Sequence, residues 1–210
     1  PYTQTAIERA GGDWAICGAS LRSPDMRDAL APQDGLFTVT EKDGASARAK
    51  LVSILKKMLV APESPEALIA AMADPAVNIV TATITEKGYC LHPASHGLDL
   101  DHPDVRRDLE SPAAPRTAAG LLAAAIARRI AARAPLTVLS CDNIPNNGER
   151  FRNIVRDFMM EAYPGAVSAL DELVRFPATM VDRITPATTG EDRSDVAARI
   201  GLRDEAAVIT

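Results

Sequence analysis

Two short runs of β-branched and aliphatic residues constrain the fold of this chain more than any other feature. VNIVTATIT (Val77–Thr85) and LTVLSC (Leu136–Cys141) favour strands, and they are apolar at successive positions. Such runs are typical of strands covered on both faces, as in parallel sheets. Between them lies TAAGLLAAAIARRIAARA (Thr117–Ala134), an alanine-rich amphipathic helix. The order strand, helix, strand predicts a parallel α/β sheet with helices on both faces.

Shorter patterns predict the remaining elements. The strand candidates are Trp14–Leu21, taken as buried, Leu36–Lys42, taken as an edge strand before a DG turn, Lys50–Leu55, and the extended segments VDRITP and AAVIT. The helix candidates are a segment that starts at Pro24 with Ser23 as N-cap, Ser64–Asp74 with Ser64 as N-cap, Asn147–Tyr163 with Asn147 as cap, and Val167–Phe176. The polar stretch 86–116 is predicted to be irregular.

Composition excludes several classes of protein. With 23 basic and 28 acidic residues the chain carries a formal charge of -5, and its 4% aromatic residues are too few for a nucleic-acid stacking surface. No apolar run is long enough for a membrane span, and no secretory signal opens the chain. Three cysteines without a CxxC pair favour a reduced cytoplasm. Because no initiator methionine is present, we expect a fragment or a processed product.

Polar residues follow several predicted strands, where ligands of parallel sheets bind. TITEKG, SCDN and LRSPD all lie at such strand ends. In SCDN, the Asn143 carboxamide is able to hold a carbonyl oxygen and to stabilise an alkoxide as charge develops. The alternative is that Asp142 and Asn143 only satisfy backbone groups in a turn before Pro145.

Asp25 and Glu86 are two further strand-end acids with open alternatives. Asp25 is placed to accept hydrogen bonds from the ribose of an adenosine, or it favours a helix dipole from the first turn. The chain has no GxGxxG motif, so the ribose role places a glycine-rich unit before residue 1. Glu86 and Lys87 form either a proton relay or a surface ion pair.

The three histidines fall close together in CLHPASHGLDLDH, at His92, His96 and His102. Metal ligands cluster in this way, but Pro93 and Pro103 break any helix that would align the rings, so a polar loop is the alternative. In VDRITP, Asp182 and Arg183 either orient a substrate hydroxyl or pin a domain edge. No Ser-His-Asp set, GxSxG motif or P-loop supports a hydrolase or a kinase.

TITEKGYC, SCDNIPNNGERFR and FPATMVDRITP together resemble the mannitol dehydrogenase family of long-chain polyol dehydrogenases, which includes mannitol 2-dehydrogenase and fructuronate reductase. The resemblance extends from DWAICGASLR to the end of the chain. It implies a Rossmann-like doubly wound domain with a mainly parallel sheet. It also implies an NAD(P)-dependent, metal-free oxidoreductase that interconverts a secondary alcohol of a polyol or sugar acid with its ketone.

The same resemblance implies roles for individual residues. Asn143 resembles the asparagine that binds the oxyanion, and Glu86 resembles a glutamate near the nicotinamide and a water path. Asp182 resembles an aspartate that contacts substrate hydroxyls.

For the coenzyme, Asp25 resembles the acid that holds the ribose and favours NAD. Arg22 lies close enough in sequence to meet a 2'-phosphate, which keeps NADP as a second option. Thr85, at the end of the predicted strand, is assigned to the coenzyme site with them.

The resemblance also predicts the domain organisation. Residues 1–210 are expected to be an incomplete NAD(P)-binding domain, with the family's glycine loop before residue 1 and a helical catalytic domain, carrying a KxxxxNxxH helix, outside this chain. The chain alone is then expected to be inactive, and a non-catalytic nucleotide-binding fragment is the rival interpretation. The expected partner is a polyol or keto-sugar rather than nucleic acid or membrane, and the expected state is a cytoplasmic monomer or weak homo-oligomer.

Overall fold

The computed structural model describes residues 2–43, 46–84, 86–180 and 185–210, with all side chains in these ranges except those of Tyr2, Asp43 and Glu86. The helices in this part of the chain are α1 (Tyr2–Ala10), α2 (Asp25–Leu30), α3 (Pro65–Ala73), α4 (Pro103–Glu110), α5 (Ala118–Ala131), α6 (Asn147–Ala162), α7 (Leu170–Leu173) and α8 (Gly190–Ile200). The strands are β1 (Ile16–Ser20), β2 (Phe37–Asp43), β3 (Ser46–Val52), β4 (Leu55–Val60), β5 (Ile79–Ala82), β6 (Leu136–Ser140), β7 (Val174–Arg175) and β8 (Val208–Ile209). Short 3-10 helices cover Ala31–Gln33, Glu86–Tyr89 and Pro164–Ala169.

The chain divides into two compact units, which are described separately. The first contains Pro1–Val60 and Asp182–Thr210, and the second contains Ala61–Val181. Among the strands named above, only β2 and β3 pair in the antiparallel sense. The predicted α/β class with a mainly parallel sheet is therefore confirmed. In the described ranges the strands form three hydrogen-bonded sheets, with the orders β1-β4, β3-β2-β8 and β5-β6-β7.

The order, bounds and burial of strands in the first unit correct three predictions. β2 is a central strand, not an edge strand, because β8 from the end of the chain pairs with it in parallel. The run 50–55 is not one strand, since β3 ends at Val52 and β4 begins at Leu55. β1 is not buried, because its residues alternate between partly and fully exposed. An apolar run shows that a strand tolerates burial, but neighbouring elements decide whether burial occurs.

A buried carboxylate holds the first unit together. Asp204 is 5% exposed, and it accepts hydrogen bonds from the backbone N–H and the hydroxyl of Thr38, at 2.6 and 2.7 Å. It also accepts hydrogen bonds from the Gln33 amide at 2.7 Å and from the Ala206 N–H at 3.0 Å. These bonds join β2 and a 3-10 helix to the segment that leads into β8.

We expect Asp204→Ala to destabilise the first unit strongly. Buried donors that lose their acceptor each cost about 1–3 kcal/mol, so the free energy of unfolding should fall by about 3 kcal/mol. Urea denaturation followed by circular dichroism measures the change. Glu205→Ala, at the exposed neighbouring position, is the matched control and should stay within about 0.5 kcal/mol. Equal stability of the two variants would contradict the role given to Asp204.

In the second unit, β6 lies between β5 and β7 and pairs with both in the parallel sense. Helix α5 packs against α3 and α6, and it contributes buried residues such as Ile126, while α6 contributes Phe151 and Phe158. β6 is buried at Leu136, Val138 and Ser140, but Thr137 and Leu139 on its other face are only half-buried, so the predicted complete burial is wrong for one face. β5 also lacks the predicted burial, because Ile79 is 47% exposed, so the prediction of a strand covered on both faces is wrong here.

Arg129 of α5 is fully buried, and within the described ranges its hydrogen bonds all go to backbone carbonyls. Its partners are the oxygens of Met72 at 3.0 Å, Pro135 at 3.2 Å and Val77. Burial lowers the pKa of Arg129, although it remains a cation at neutral pH. The side chain thus fixes the end of α3 against the starts of β5 and β6.

The observed first residues of the helices confirm one predicted N-cap and correct two other predictions. Ser64 caps α3 as predicted and accepts a hydrogen bond from the Ala67 N–H at 3.2 Å. Ser23 does not cap α2: Pro24 is the N-cap, and it makes no capping side-chain bond. The stretch 86–116 is not irregular throughout, because α4 begins at Pro103, where a missing N–H and a fixed φ favour the first helical position.

One segment near the end of the second unit differs from its prediction. Residues 167–176 do not form one helix: a 3-10 turn leads into α7, and Val174 and Arg175 then pair with β6 as β7.

Within the described ranges, no helix combines the length and apolar character needed to cross a lipid bilayer.

Candidate functional site

The carboxyl ends of β5 and β6 lie side by side in the second unit. Ala82 is in register with Ser140, and the Cys141 N–H continues the ladder by donating to the Ala82 carbonyl at 2.8 Å. Because parallel strands end at the same edge, the residues that follow β5 and β6 share that edge. The polar residues that follow β6 in SCDN, called the rim below together with the segment after β5, therefore lie at the end of a strand as predicted.

Asp142 links the end of β6 to the segment after β5. Its carboxylate accepts hydrogen bonds from the Ile84 N–H at 3.1 Å and from the Tyr89 hydroxyl at 2.7 Å. Tyr89 is 1% exposed, and its hydroxyl also lies 2.6 Å from that of Ser140. Burial and the neighbouring carboxylate raise the pKa of Tyr89, so the hydroxyl stays protonated and able to donate. Asp142 thus serves a backbone group, but one that follows β5 rather than one in the turn before Pro145 that the turn interpretation predicted.

On the β7 side of β6, backbone hydrogen bonding stops before Pro177, and side chains make the hydrogen bonds beyond that point. Pro177 has no N–H to donate, so backbone pairing with β6 ends at Arg175. Thr179 takes over, and its hydroxyl donates to the Ser140 carbonyl. The Asn147 carboxamide reaches the same region and donates to Thr179 Oγ1 at 3.0 Å.

Asn147 is not the helix cap that the sequence predicts. The N-cap of α6 is Asn146, which has a left-handed backbone with φ of 54° and makes no capping side-chain bond. Asn147 is the first residue of the helix and is 1% exposed. Its polar atoms therefore serve contacts outside the helix.

Gly148 allows the start of α6 to lie against the chain after β7. A Cβ at this position would lie 2.5 Å from the Phe176 carbonyl oxygen and 2.7 Å from that of Pro177. Both distances are far below van der Waals contact, and both neighbours are backbone atoms that cannot rotate away. Only glycine fits this approach.

A row of three aromatic rings packs beneath these strand ends. The Tyr89 and Phe151 rings meet edge to face with centroids 5.5 Å apart, and the Phe151 and Phe176 rings do so at 6.3 Å. The row joins the 3-10 helix after β5, helix α6 and the segment after β7. It therefore supports from below the three segments that polar side chains connect at the rim.

Asn143 differs from its polar neighbours. Its side chain is exposed and makes no hydrogen bond within the described part of the chain. Since the Asp142 carboxylate is engaged by Ile84 and Tyr89, and Asn147 donates to the Asp142 carbonyl, the Asn143 carboxamide is left available for a ligand. The adjacent Cys141 thiol is not an obvious nucleophile, because burial and the Asp142 carboxylate raise its pKa.

Three further predicted site residues, Glu86 and Thr85 of the second unit and Asp182 of the first, are described only in part or not at all. Glu86 begins the 3-10 helix after β5, and its side chain lies outside the described residues. Thr85 and Asp182 also lie outside the described residues. Lys87 is exposed on the same 3-10 helix.

Asp25 and Arg22 follow the carboxyl end of β1 in the first unit. The Ser20 hydroxyl accepts hydrogen bonds from the N–H groups of Ser23 at 3.2 Å and Arg22 at 3.4 Å, which closes the turn after the strand. Asp25 is exposed at the first position of α2, and one of its oxygens accepts from the Ser23 hydroxyl at 2.9 Å. This position suits the helix dipole, and the exposed side chain has one oxygen without a hydrogen-bond partner in the described part of the chain.

The histidine cluster forms turns. His92 Nδ1 accepts hydrogen bonds from the N–H groups of Ala94 and Ser95, both at 3.2 Å. His102 Nδ1 caps α4 by accepting from the Asp104 N–H at 3.2 Å. Among the described residues, no three His, Cys, Asp or Glu side chains converge as metal ligands would.

Sequence reasoning missed the partners of the rim, namely the buried residues Tyr89, Ser140 and Gly148 and the half-buried Thr179. The signal for Gly148 was present, since an Asn-Gly pair before a helix often marks a close backbone approach. Tyr89 and Thr179 gave no local signal, because their partners lie 53 and 32 residues away in sequence.

We expect Gly148→Ala to disturb the rim. The added methyl would force α6 away from the chain after β7 and lower the free energy of unfolding by about 1–3 kcal/mol. Urea denaturation gives the value. Gly165→Ala is the control, because no atom lies within 4 Å of the added methyl there. A Gly148→Ala protein as stable as the control would show that the start of α6 does not lie tightly against the backbone of Phe176 and Pro177.

Comparison with known proteins identifies the family. The model of the mannitol dehydrogenase Rossmann domain matches residues 2–209. A mannitol 2-dehydrogenase of Phaeosphaeria nodorum is 41% identical over 213 residues, an alignment that covers 100% of this chain and 38% of the relative.

Two solved structures are similar as well. A D-sorbitol dehydrogenase in substrate-free form superposes with a TM-score of 0.91 at 33% identity, covering 99% of this chain and 44% of that one. The Pseudomonas fluorescens mannitol 2-dehydrogenase, in a ternary complex with NAD and D-mannitol, gives 0.91 at 37% identity over the same shares. The chain thus spans about two-fifths of the length of these relatives, and it belongs to the mannitol dehydrogenase family, whose Rossmann domain it carries.

Proposed function

We propose that this chain is the coenzyme-binding part of an NAD(P)-dependent oxidoreductase that acts on a polyol, such as mannitol, or on a sugar acid. The reaction interconverts a secondary alcohol with its ketone by hydride transfer. Family membership over residues 2–209 supports the reaction class, and a similar solved structure holds NAD and D-mannitol. The observation that carries the proposal is the exposed Asn143 carboxamide at the end of β6, next to an Asp142 that is already engaged.

The division of labour within the whole protein is part of the proposal. Residues 1–210 supply an incomplete NAD(P)-binding domain, and a helical catalytic domain with the general base lies outside this chain. Support comes from the P. nodorum relative, of which the chain covers 38%. A non-catalytic nucleotide-binding fragment is the competing interpretation for these residues alone.

The residues after β1 fit the adenosine end of a coenzyme. An exposed carboxylate at a strand end is the group that accepts hydrogen bonds from ribose hydroxyls, and Asp25 has this placement. Arg22 is exposed three residues earlier and would offer a cation to a 2'-phosphate. NAD is therefore the proposed coenzyme, with NADP as the second option.

The residues after β5 and β6 fit the reacting end. A bound nicotinamide supplies the hydride acceptor. The Asn143 NH2 group donates to the substrate oxygen and stabilises the negative charge that develops there, and it stays neutral over the working pH range. Glu86 and Thr85 are proposed to line the same end, and Asp182 is proposed to bind substrate hydroxyls.

We expect Asn143→Ala to lower turnover by about 10² to 10³, the usual cost of a lost oxyanion donor. The measurement is NADH formation with mannitol, or NADH consumption with fructose, in the complete protein that contains these residues. Asn78→Ala is the control, because Asn78 is an exposed asparagine just before β5. Unchanged turnover after Asn143→Ala would remove this residue from the mechanism.

We expect Asp25→Ala to weaken NADH binding by about tenfold, because hydrogen bonds to a charged group contribute about 1.5–3 kcal/mol. NADH fluorescence titration on the 210-residue chain measures the dissociation constant. Asp28→Ala, at an acid in the same first turn of α2, is the control for the helix dipole. Equal losses of NADH affinity in the two variants would mean that Asp25 acts only through its interaction with the helix dipole. NADH binding by the chain without turnover by the complete protein would favour the non-catalytic interpretation.

A further inference from the structure

Asn147 makes more polar contacts than its place in a helix requires. Its NH2 group lies 3.3 Å from the Ser140 carbonyl oxygen and 2.9 Å from that of Asp142. The same group lies 3.1 Å from the Thr179 carbonyl oxygen and 3.0 Å from its hydroxyl. Its oxygen accepts from the Thr179 N–H at 3.0 Å. A fully buried carboxamide is thus saturated by two separate chain segments.

Helix formation does not explain this choice of residue. Asn146 already provides the N-cap position, and asparagine is a weak helix former inside a helix. The side chain of Asn147 is 1% exposed, so its desolvation has to be offset by the contacts that it makes. The contacts with the strand ends are the ones that do so.

One of these contacts bears directly on Asn143. The Asp142 carbonyl belongs to the peptide bond between Asp142 and Asn143, and that peptide is planar. A hydrogen bond from Asn147 to this oxygen therefore fixes the plane from which the Asn143 Cα extends. On the opposite side, the Asp142 carboxylate is held by the Ile84 N–H and the Tyr89 hydroxyl. The residue before Asn143 is thus restrained through both its carbonyl and its side chain.

We propose that Asn147 is a positioning residue for the reaction: it orients the Asn143 carboxamide by fixing the Asp142–Asn143 peptide and by tying it to Thr179. The inference rests on the proposed role of Asn143 at the substrate oxygen. Asn147 acts through Asn143 and needs no contact with substrate or coenzyme. Small displacements of a catalytic donor are costly, because a shift of about 1 Å reduces rates by about 10²-fold.

The test compares Asn147→Ala with Asn153→Ala in the complete protein. Asn153 is exposed on the same helix, so the control has the same substitution and the same helix propensity. We expect Asn147→Ala to lower kcat by about 10-fold or more, while the dissociation constant for NADH stays within about twofold. Asn153→Ala should change neither quantity.

A spectroscopic measurement separates positioning from loss of stability. In ¹H–¹⁵N spectra of the labelled 210-residue chain, Asn147→Ala should shift the Asn143 backbone amide resonance, and Asn153→Ala should not. An unmoved Asn143 resonance together with unchanged kcat would overturn the inference. If the parent protein has no turnover at all, the proposed function itself fails, whereas an active parent with an equally active Asn147→Ala variant refutes only the role of Asn147.

A second pair of variants keeps the test decisive if Asn147→Ala does not fold. Thr179→Val removes the hydroxyl that accepts from Asn147 and donates to Ser140, at nearly constant volume. We expect a loss of kcat of about 3- to 10-fold, smaller than for Asn147 because the backbone contacts of Thr179 remain. Thr179→Ser, which keeps the hydroxyl, should restore most of the rate. Equal kcat for the two Thr179 variants would contradict the proposal.

Discussion

β6 remains connected on both sides beyond the point where backbone pairing stops, because side chains continue the hydrogen bonding. Towards β5, the Asp142 carboxylate accepts the Ile84 N–H. Towards β7, Asn147 and Thr179 bridge the gap that follows Pro177. Everything proposed for the site depends on this arrangement, since it turns two polar groups of the rim inward and leaves Asn143 free at the surface.

Much of the scaffold was predictable from local patterns. The β-branched composition of β5 and β6 and the amphipathic α5 between them were sufficient for parallel pairing, which the register of Val80 with Val138 confirms. Ser64 before Pro65 marked the start of α3, because capping is decided within one helical turn. The family was recognisable from three short segments, and the match over residues 2–209 confirms it.

The remaining features depend on partners that are distant in sequence. Nothing local shows that β8 will make β2 a central strand, since the two lie at opposite ends of the chain. Asn147 has the local signature of a cap, and its second role depends in part on Thr179, which lies 32 residues later. The Asp142 carboxylate binds a backbone N–H and a tyrosine more than 50 residues away in sequence, whereas the neighbouring Asn143 side chain makes no hydrogen bond within the described ranges.

Cys141 lies between the last residue of β6 and the engaged Asp142, with its own N–H donated to β5. Its raised pKa keeps the sulfur as a neutral thiol at physiological pH, whereas peroxide reacts with the thiolate. Conversion to a sulfenic acid at this point is therefore slow. The thiol at the rim is therefore held in its less reactive form, even though many enzymes use this residue type as a redox sensor.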